Sequence, residues 1–197
     1  MIEFVVRGIK CRVSPLFPAL VALLLFEQTA DVALACLLAS LIHELGHVLA
    51  MCMLGMPPKE CALGLFGLRL QLRQATLSYE KYLFVAAAGP LVNGLVASAL
   101  WLLDRPQTVW VHLLLALLNI LPVSALDGGE ILRCVFGTLG WQTIVERVLT
   151  VTSVISVLAL STVGVVAFVM GEGNGTLILF GMYPAVLMFL EKFAKTP

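Results

Sequence analysis

The chain has 197 residues, of which 60% are hydrophobic and 12% charged, with no formal net charge and a mean hydropathy of +1.03. A soluble domain carries about 25% charged residues, so this composition excludes an ordinary soluble domain and indicates an integral membrane protein. The five cysteines are odd in number and not closely paired, which predicts reduced thiols or small apolar positions, not disulfides or a thiolate zinc site.

Six apolar stretches are candidates to cross the hydrocarbon core, which is about 30 Å thick. They cover approximately residues 13–27, 32–55, 82–103, 107–122, 147–170 and 174–190, and the first and fourth are short. The sequence therefore predicts an all-α polytopic membrane protein with about six transmembrane helices. We expect residues 1–197 to form a single membrane-embedded domain, with no PDZ or CBS domain.

The basic residues are distributed very unevenly between the two sides of this predicted topology. With the N-terminus in the cytoplasm, only Arg105 lies on the opposite side. The cytoplasmic side holds Arg7, Lys10, Arg12, Lys59, Arg69, Arg73, Lys81, Arg133, Arg147, Lys192 and Lys195. This bias predicts a multi-pass protein of a bacterial-type cytoplasmic (inner) membrane, with both termini cytoplasmic and an uncleaved first helix.

The second predicted span contains His43-Glu44-Leu45-Gly46-His47. Residues four apart lie one above the other on a helix, so His43 and His47 present two imidazoles to one point, and Glu44 is placed as a general base. Three ionisable groups within hydrocarbon are costly and predict a function. The span starts near Asp31 on the outer side, so the histidines lie about 18–24 Å further along, in the cytoplasmic half.

The segment between the second and third spans, residues 59–78, predicts a short membrane-associated β-hairpin. Leu68-Arg69-Leu70-Gln71-Leu72-Arg73 alternates with the period of a strand, and Gly64 and Gly67 permit turns. An open strand edge there could pair with an extended substrate segment by β-augmentation. The alternative is a plain amphipathic cytoplasmic loop, because the alternation persists for only six residues.

A catalytic zinc site needs a third protein ligand and an open position. Asp127 follows the fourth span at the expected cytoplasmic depth of the two histidines, where Pro122 ends or kinks the helix and Gly128-Gly129 permits a non-helical backbone. The alternative reading of Asp127 is a turn residue before two glycines. His112 is predicted near the outer end of the fourth span, as an interfacial or structural residue.

Three motifs resemble those of the site-2 protease family of intramembrane zinc metalloproteases. They are His43-Glu44-x-x-His47, Ala88-Gly89-Pro90-Leu91-Val92-Asn93 and Asn119-x-x-Pro122-x-x-x-Leu126-Asp127-Gly128. Their order and the six-span layout also fit, so the resemblance covers nearly the whole chain. The compact form resembles the sporulation proteases that process a sigma-factor precursor, but without their C-terminal CBS domain.

The resemblance implies one Zn²⁺ per chain, held by His43, His47 and Asp127, with Glu44 as base. It also implies that Asn119 contacts the substrate backbone or stabilises the oxyanion. Asn93 could orient a ligand or close a helix contact. The expected function is that of an intramembrane zinc metalloendopeptidase that cleaves transmembrane or membrane-associated substrates near the cytoplasmic face, in regulated intramembrane proteolysis. The expected partners are such a membrane protein or peptide substrate, the lipid bilayer and a regulatory membrane protein, with no nucleic acid.

Other readings of the same residues remain at this point. His43, Glu44 and His47 could be polar contacts between helices, and Asn93 and Asn119 could be interhelical hydrogen-bonding residues. The chain could also be an inactive protease homologue that acts as a membrane adaptor, or a divalent-metal transporter. The general base at Glu44 disfavours an adaptor, and the clustering of polar residues in one half of the membrane disfavours a transporter.

Overall fold

The computed structural model describes residues 2–6, 9–13, 29–56, 58–64, 67–72 and 78–170. The predicted sixth span and all but the first residue of the predicted first span lie outside these residues. The chain divides into two compact units, Met1–Leu118 and Asn119–Pro197. The boundary falls within the helix that corresponds to the predicted fourth span.

The first unit contains a four-stranded sheet of β1 (Ile2–Val6), β2 (Ile9–Val13), β3 (Pro58–Gly64) and β4 (Gly67–Leu72), in that order. β3 and β4 pair antiparallel in the interval where the sequence predicts a hairpin. The sheet is larger than that hairpin, because β1 and β2 pair antiparallel and β2 joins β3 in parallel. The sequence analysis missed the two N-terminal strands, which are short and precede a long apolar run.

Charged side chains join three neighbouring strands of this sheet. The Arg12 guanidinium on β2 lies 2.7 Å from a Glu60 carboxylate oxygen on β3 and 3.2 Å from Glu3 on β1. Opposite charges on adjacent strands stabilise a sheet modestly and fix its register. This register ties residues 2–13 to residues 58–64 although a long helix separates them in the chain.

Two long helices of the first unit, α1 (Ala30–Met53) and α2 (Tyr79–Leu102), pack against each other. Their contact includes the buried cluster of Ala50, Met51 and Val85. The opposite face of α1 exposes large apolar side chains, a distribution that suits lipid and not water. They are Leu34, Leu38, Leu41, Leu45, Leu49 and Met53, each 47–71% exposed.

Among the described residues, three helices are long and apolar enough to cross a membrane: α1, α2 and α5 (Gln142–Val169). The predicted fourth span is instead the 15-residue helix α3 (Pro106–Ile120). At 1.5 Å per residue it is about 22 Å long, shorter than the hydrocarbon core. The structure therefore supports a mostly helical membrane protein, with three candidate spans in its described part.

The second unit corrects the prediction for Gly128-Gly129. The irregular backbone covers residues 121–126, and α4 (Asp127–Thr138) already begins at Asp127, so both glycines are helical. A Cβ atom at Gly128 would collide with the carbonyl oxygens of Ile120 and Leu121, and one at Gly129 with that of Val123. The glycines thus permit close approach of α4 to the preceding segment, and not a turn.

Candidate metal centre

His43 and His47 form a convergent pair on the buried face of α1. Their side chains are 5% and 6% exposed, their rings are nearly perpendicular at 81°, and their Nε2 atoms lie 3.3 Å apart. Two Zn–N bonds of about 2.0–2.1 Å in tetrahedral geometry would separate the nitrogens by about 3.3–3.4 Å. The two nitrogens therefore already have the spacing of two ligands of one tetrahedral ion.

The ring of His47 is oriented by a backbone carbonyl of α2. Its Nδ1 lies 2.8 Å from the carbonyl oxygen of Val85. A carbonyl oxygen only accepts, so His47 Nδ1 carries a proton and donates it, and the neutral ring has its lone pair on Nε2. A ligating histidine commonly donates its second nitrogen to a carbonyl in this way, which fixes both tautomer and ring direction.

Gly89 on α2 leaves the space that the two imidazoles occupy. A Cβ atom at this position would lie 2.8 Å from His43 Nε2 and closer still to His47 Nε2. Gly46 has a similar function on α1, since a Cβ there would lie 2.9 Å from the carbonyl oxygen of Ala88. The motif glycine at 89 is therefore required by the space that the nitrogen pair needs.

Asn93 and His112 extend the centre on its other side. The Asn93 side chain, fully buried, lies with Nδ2 3.3 Å from His43 Nδ1 and with Oδ1 3.1 Å from His112 Nδ1. Of the two predicted roles of His112, the interfacial one does not fit a ring that is 2% exposed, whereas its bond to Asn93 fits the structural one. The sequence contains a signal for this contact, because His112 lies in an apolar stretch and an ionisable group within a membrane is expected to have a polar partner.

Glu44 follows His43 directly on α1, and its side chain is half-buried. Asp127 and Asn119 belong to the second unit, so the predicted site residues are divided between the two units. Asp127 is the first residue of α4, and Asn119 lies in the last turn of α3; both are half-buried. A carboxylate in the first turn of a helix faces favourable backbone N–H dipoles, which stabilise its charged form.

The irregular segment before Asp127 is held by side chains that the sequence analysis did not single out. Thr152 on α5 donates from Oγ1 to the Pro122 carbonyl oxygen at 2.6 Å, and Ser153 Oγ accepts from the Ser124 N–H at 2.9 Å. Arg133 on α4 donates to the Ser124 carbonyl oxygen at 2.9 Å. These bonds satisfy backbone groups that neither α3 nor α4 can serve, and so fix the approach to Asp127.

Arg133 also pairs with two carboxylates, Glu130 at 2.7 Å and Glu146 at 2.9 Å. Burial alone would lower the pKa of Arg133, but the hydrogen bonds and charges of Glu146 and Glu130 outweigh it and raise the pKa. The neighbouring thiol is also perturbed: burial, aided by the charge of Glu130, raises the pKa of Cys134 to about 11. Cys134 is therefore a neutral thiol at physiological pH, as expected for a packing residue and not a metal ligand.

Two comparisons with known proteins found similar proteins. Residues 107–163 match the model of peptidase family M50. The solved structure of the site-2 protease from Methanocaldococcus jannaschii superimposes with a TM-score of 0.68 at 19% sequence identity, covering 93% of this chain and 91% of that one. The fold is that of a site-2 protease. The comparison with curated proteins found no match.

These findings confirm the resemblance to the site-2 protease family that the three motifs suggest. The M50 match covers the stretch that contains Asn119 and Asp127, whereas His43, Glu44 and His47 lie before it. The site-2 protease fold is shared over 93% of the chain. Together the matches support a membrane metalloprotease.

Proposed function

We propose that the chain is an intramembrane zinc metalloendopeptidase that cleaves transmembrane or membrane-associated substrates. The single observation that carries the proposal is the buried nitrogen pair of His43 and His47, 3.3 Å apart, with the ring of His47 fixed by the Val85 carbonyl. Gly89 supports the same reading, because it leaves room beside both Nε2 atoms, which a contact that only joined helices would not require.

Asp127 is the proposed third ligand, as the sequence resemblance implies. Two neutral imidazoles and one carboxylate leave a Zn²⁺ site with one net positive charge, close to neutral in a low-dielectric setting. Its place at the start of α4 supports this role, because the segment before it is held by Thr152, Ser153 and Arg133. A ligand on a fixed backbone keeps the site in one geometry.

Zinc, when bound, supplies Lewis-acid polarisation of the peptide carbonyl and lowers the pKa of water in the site. Glu44 accepts a proton from the attacking water and later donates it to the leaving amine nitrogen. Asn119 has an amide N–H₂ that can donate to the developing oxyanion without adding charge. In this scheme, Glu44 transfers the proton between the attacking water and the leaving amine, and Asn119 stabilises the charge on the carbonyl oxygen.

The proposed setting is a bacterial-type inner membrane with both termini in the cytoplasm and cleavage near the cytoplasmic face. The exposed apolar face of α1 supports a lipid environment. The sheet supports the sidedness, because it joins residues 2–13 to residues 58–72 on one side of α1. Regulated intramembrane proteolysis, with a membrane-bound regulator and a membrane protein substrate, is the corresponding biological role.

The test compares wild type, Glu44→Gln and the control Glu80→Gln, an exposed carboxylate on α2. Each full-length protein is purified from membranes, its zinc content is measured, and it is co-expressed with a panel of tagged single-span substrates. We expect one zinc ion per chain in all three. Cleavage should fall by about 10²–10⁴-fold in Glu44→Gln alone, the usual range for a lost general base.

Each alternative function predicts a different result. An adaptor would hold zinc and cleave none of the panel, and a transporter would carry divalent metal into vesicles without cleaving peptide. Absence of zinc from all three proteins would contradict the metal site itself. Equal cleavage by wild type and Glu44→Gln would remove Glu44 as the base.

A further inference from the structure

The buried amide of Asn93 connects two histidines. It lies within hydrogen-bond range of His43 Nδ1 on one side, at 3.3 Å, and of His112 Nδ1 on the other, at 3.1 Å. All three side chains are at least 95% buried. Polar groups in such surroundings need their hydrogen bonds, because a buried donor or acceptor without a partner loses its hydration and gains nothing in return. In each hydrogen bond between His43, Asn93 and His112, one group must therefore donate and the other accept.

The amide has a donating and an accepting end, and which end faces His43 determines the tautomer of that ring. In the structure Asn93 donates from Nδ2 to His43 Nδ1, so the neutral His43 ring carries its proton on Nε2. Its Nε2–H can then donate to Nε2 of His47, 3.3 Å away, where the lone pair lies. This arrangement satisfies both rings, but it uses the two nitrogens that would bind metal.

We propose that Asn93 and His112 form a relay that sets the metal-binding tautomer of His43, an inference that rests on the proposed zinc site. In the metal-competent state the Asn93 amide is turned by half a revolution. Its Oδ1 then accepts from His43 Nδ1–H, and its Nδ2 donates to His112 Nδ1. Each imidazole moves its one proton to its other nitrogen, so both rings stay neutral and no proton is gained or lost.

His112 acts through Asn93 in this relay, as a positioning residue. It can accept from the amide at Nδ1 in one state and donate to it in the other, because a histidine has two neutral tautomers. An asparagine bonded only to His43 would gain from one orientation and lose from the other. With His112 opposite, either orientation leaves both ends of the amide bonded. Turning the amide gives up the His43 Nε2–H bond to His47 Nε2 and leaves both lone pairs free for zinc.

The test measures zinc affinity by chelator competition in full-length protein, with five variants. Asn93→Leu should weaken zinc binding about 10–100-fold, the usual effect of removing a partner of a ligating histidine. Asn93→Asp keeps an acceptor for His43 Nδ1–H and should bind zinc at least as tightly as wild type. His112→Phe should lie between wild type and Asn93→Leu. The control Ser98→Ala, whose hydroxyl bonds only its own helix at Gly94, should not differ from wild type.

The fifth variant combines Asn93→Leu with His112→Phe. If His112 acts through Asn93, the double variant should bind zinc no more weakly than Asn93→Leu alone, because coupled residues are not additive. Fully additive losses would mean that His112 only packs against the helices, and would overturn the relay. The tautomers are read directly by ¹⁵N imidazole NMR, for which the chain has only three histidines.

In zinc-loaded wild type, the relay requires the proton of His43 on Nδ1 and that of His112 on Nε2. A His112 ring that keeps its proton on Nδ1 in both the zinc-free and the zinc-loaded protein overturns the proposal. So does wild-type affinity in Asn93→Leu; if that variant does not fold, His112→Phe and the NMR spectra decide. Failure of wild type to bind zinc would instead refute the proposed function, and the relay with it.

Discussion

At the scale of single residues, the direction of the two imidazoles depends on contacts that come from another helix. The spacing of four between His43 and His47 is a property of any helix, and the sequence shows it. The acceptor for His47 is the Val85 carbonyl, 38 residues away, and no pattern of residue types marks a backbone oxygen. The link from Asn93 to His112, 19 residues apart, likewise depends on how helices pack.

The space beside the two imidazoles gives a first prediction. Gly89→Ala should abolish zinc binding or weaken it by more than 100-fold, because the new methyl group would lie against both Nε2 atoms. Gly94→Ala is the matched control on the same helix, where a Cβ would have no neighbour within 4 Å. It should bind zinc normally and gain slightly in stability, since alanine favours helix over glycine. Zinc titration of the two purified proteins makes the comparison.

The same pair of variants also separates a local effect from a general one. If Gly89→Ala retained wild-type zinc affinity, the nitrogen pair would not be the metal site. If Gly94→Ala lost zinc as well, the loss would reflect the packing of α2 in general, and not contact with the imidazoles.

A second residue-scale prediction concerns pH. The raised pKa of Cys134, about 11, means that the thiol stays protonated through neutral and mildly alkaline pH. Only the thiolate reacts with iodoacetamide, so Cys134 should be alkylated much more slowly than a thiol with an ordinary pKa of about 8.5. Mass spectrometry after timed alkylation at pH 8 measures this; the exposed Cys52 is the internal comparison. Equal rates would show that burial does not protect Cys134.

At the scale of secondary-structure elements, hydropathy locates the helices but not their functions. The predicted spans at 32–55, 82–103 and 147–170 agree with α1, α2 and α5 within a few residues at all but one end. The exception is the start of α5: the helix begins at Gln142, ahead of the predicted span, because Gln142, Thr143 and Glu146 lower the hydropathy there. The sequence predicts a non-helical backbone at Gly128-Gly129, yet both glycines are helical, because glycine also permits close packing.

The hydrogen bonds from Thr152 and Ser153 to the segment before Asp127 give a prediction at the scale of secondary-structure elements. The double variant Thr152→Val, Ser153→Ala should lower the free energy of unfolding by about 1–3 kcal/mol, from two lost hydrogen bonds to half-buried backbone. It should also weaken zinc binding, because Asp127 follows the freed segment. Thr162→Val is the matched control, since its hydroxyl bonds only its own helix at Leu158. Equal stability of the double variant and this control would mean that the segment is held by other contacts.

At the scale of the whole molecule, the sheet brings together basic residues that are far apart in the chain. β2 and β3 pair in parallel, so residues 9–13 and 58–64 lie on one side of any membrane that α1 crosses. Lys10, Arg12, Lys59 and Arg69 are all in these strands or in β4, and the positive-inside bias of the sequence predicts all four on the cytoplasmic side. The uneven distribution of basic residues can be predicted from their positions in the sequence. The parallel pairing of β2 and β3 cannot, because it joins segments that are distant in the chain.

The third ligand gives the last prediction, because it links metal binding to stability. A ligand that binds only the folded state at 100 times its Kd stabilises it by about 2.7 kcal/mol. If Asp127 completes the site, saturating zinc should raise the unfolding temperature of wild type and do so far less for Asp127→Asn. Asp127→Asn should also be slightly less stable without zinc, because it removes a first-turn charge from α4. The relevant quantity is therefore the shift on adding zinc, and not the unfolding temperature of either form alone. Glu80→Gln is the control, since it removes an exposed first-turn carboxylate from α2 and should keep the full zinc shift. An unchanged zinc shift in Asp127→Asn would place the third ligand elsewhere in the chain.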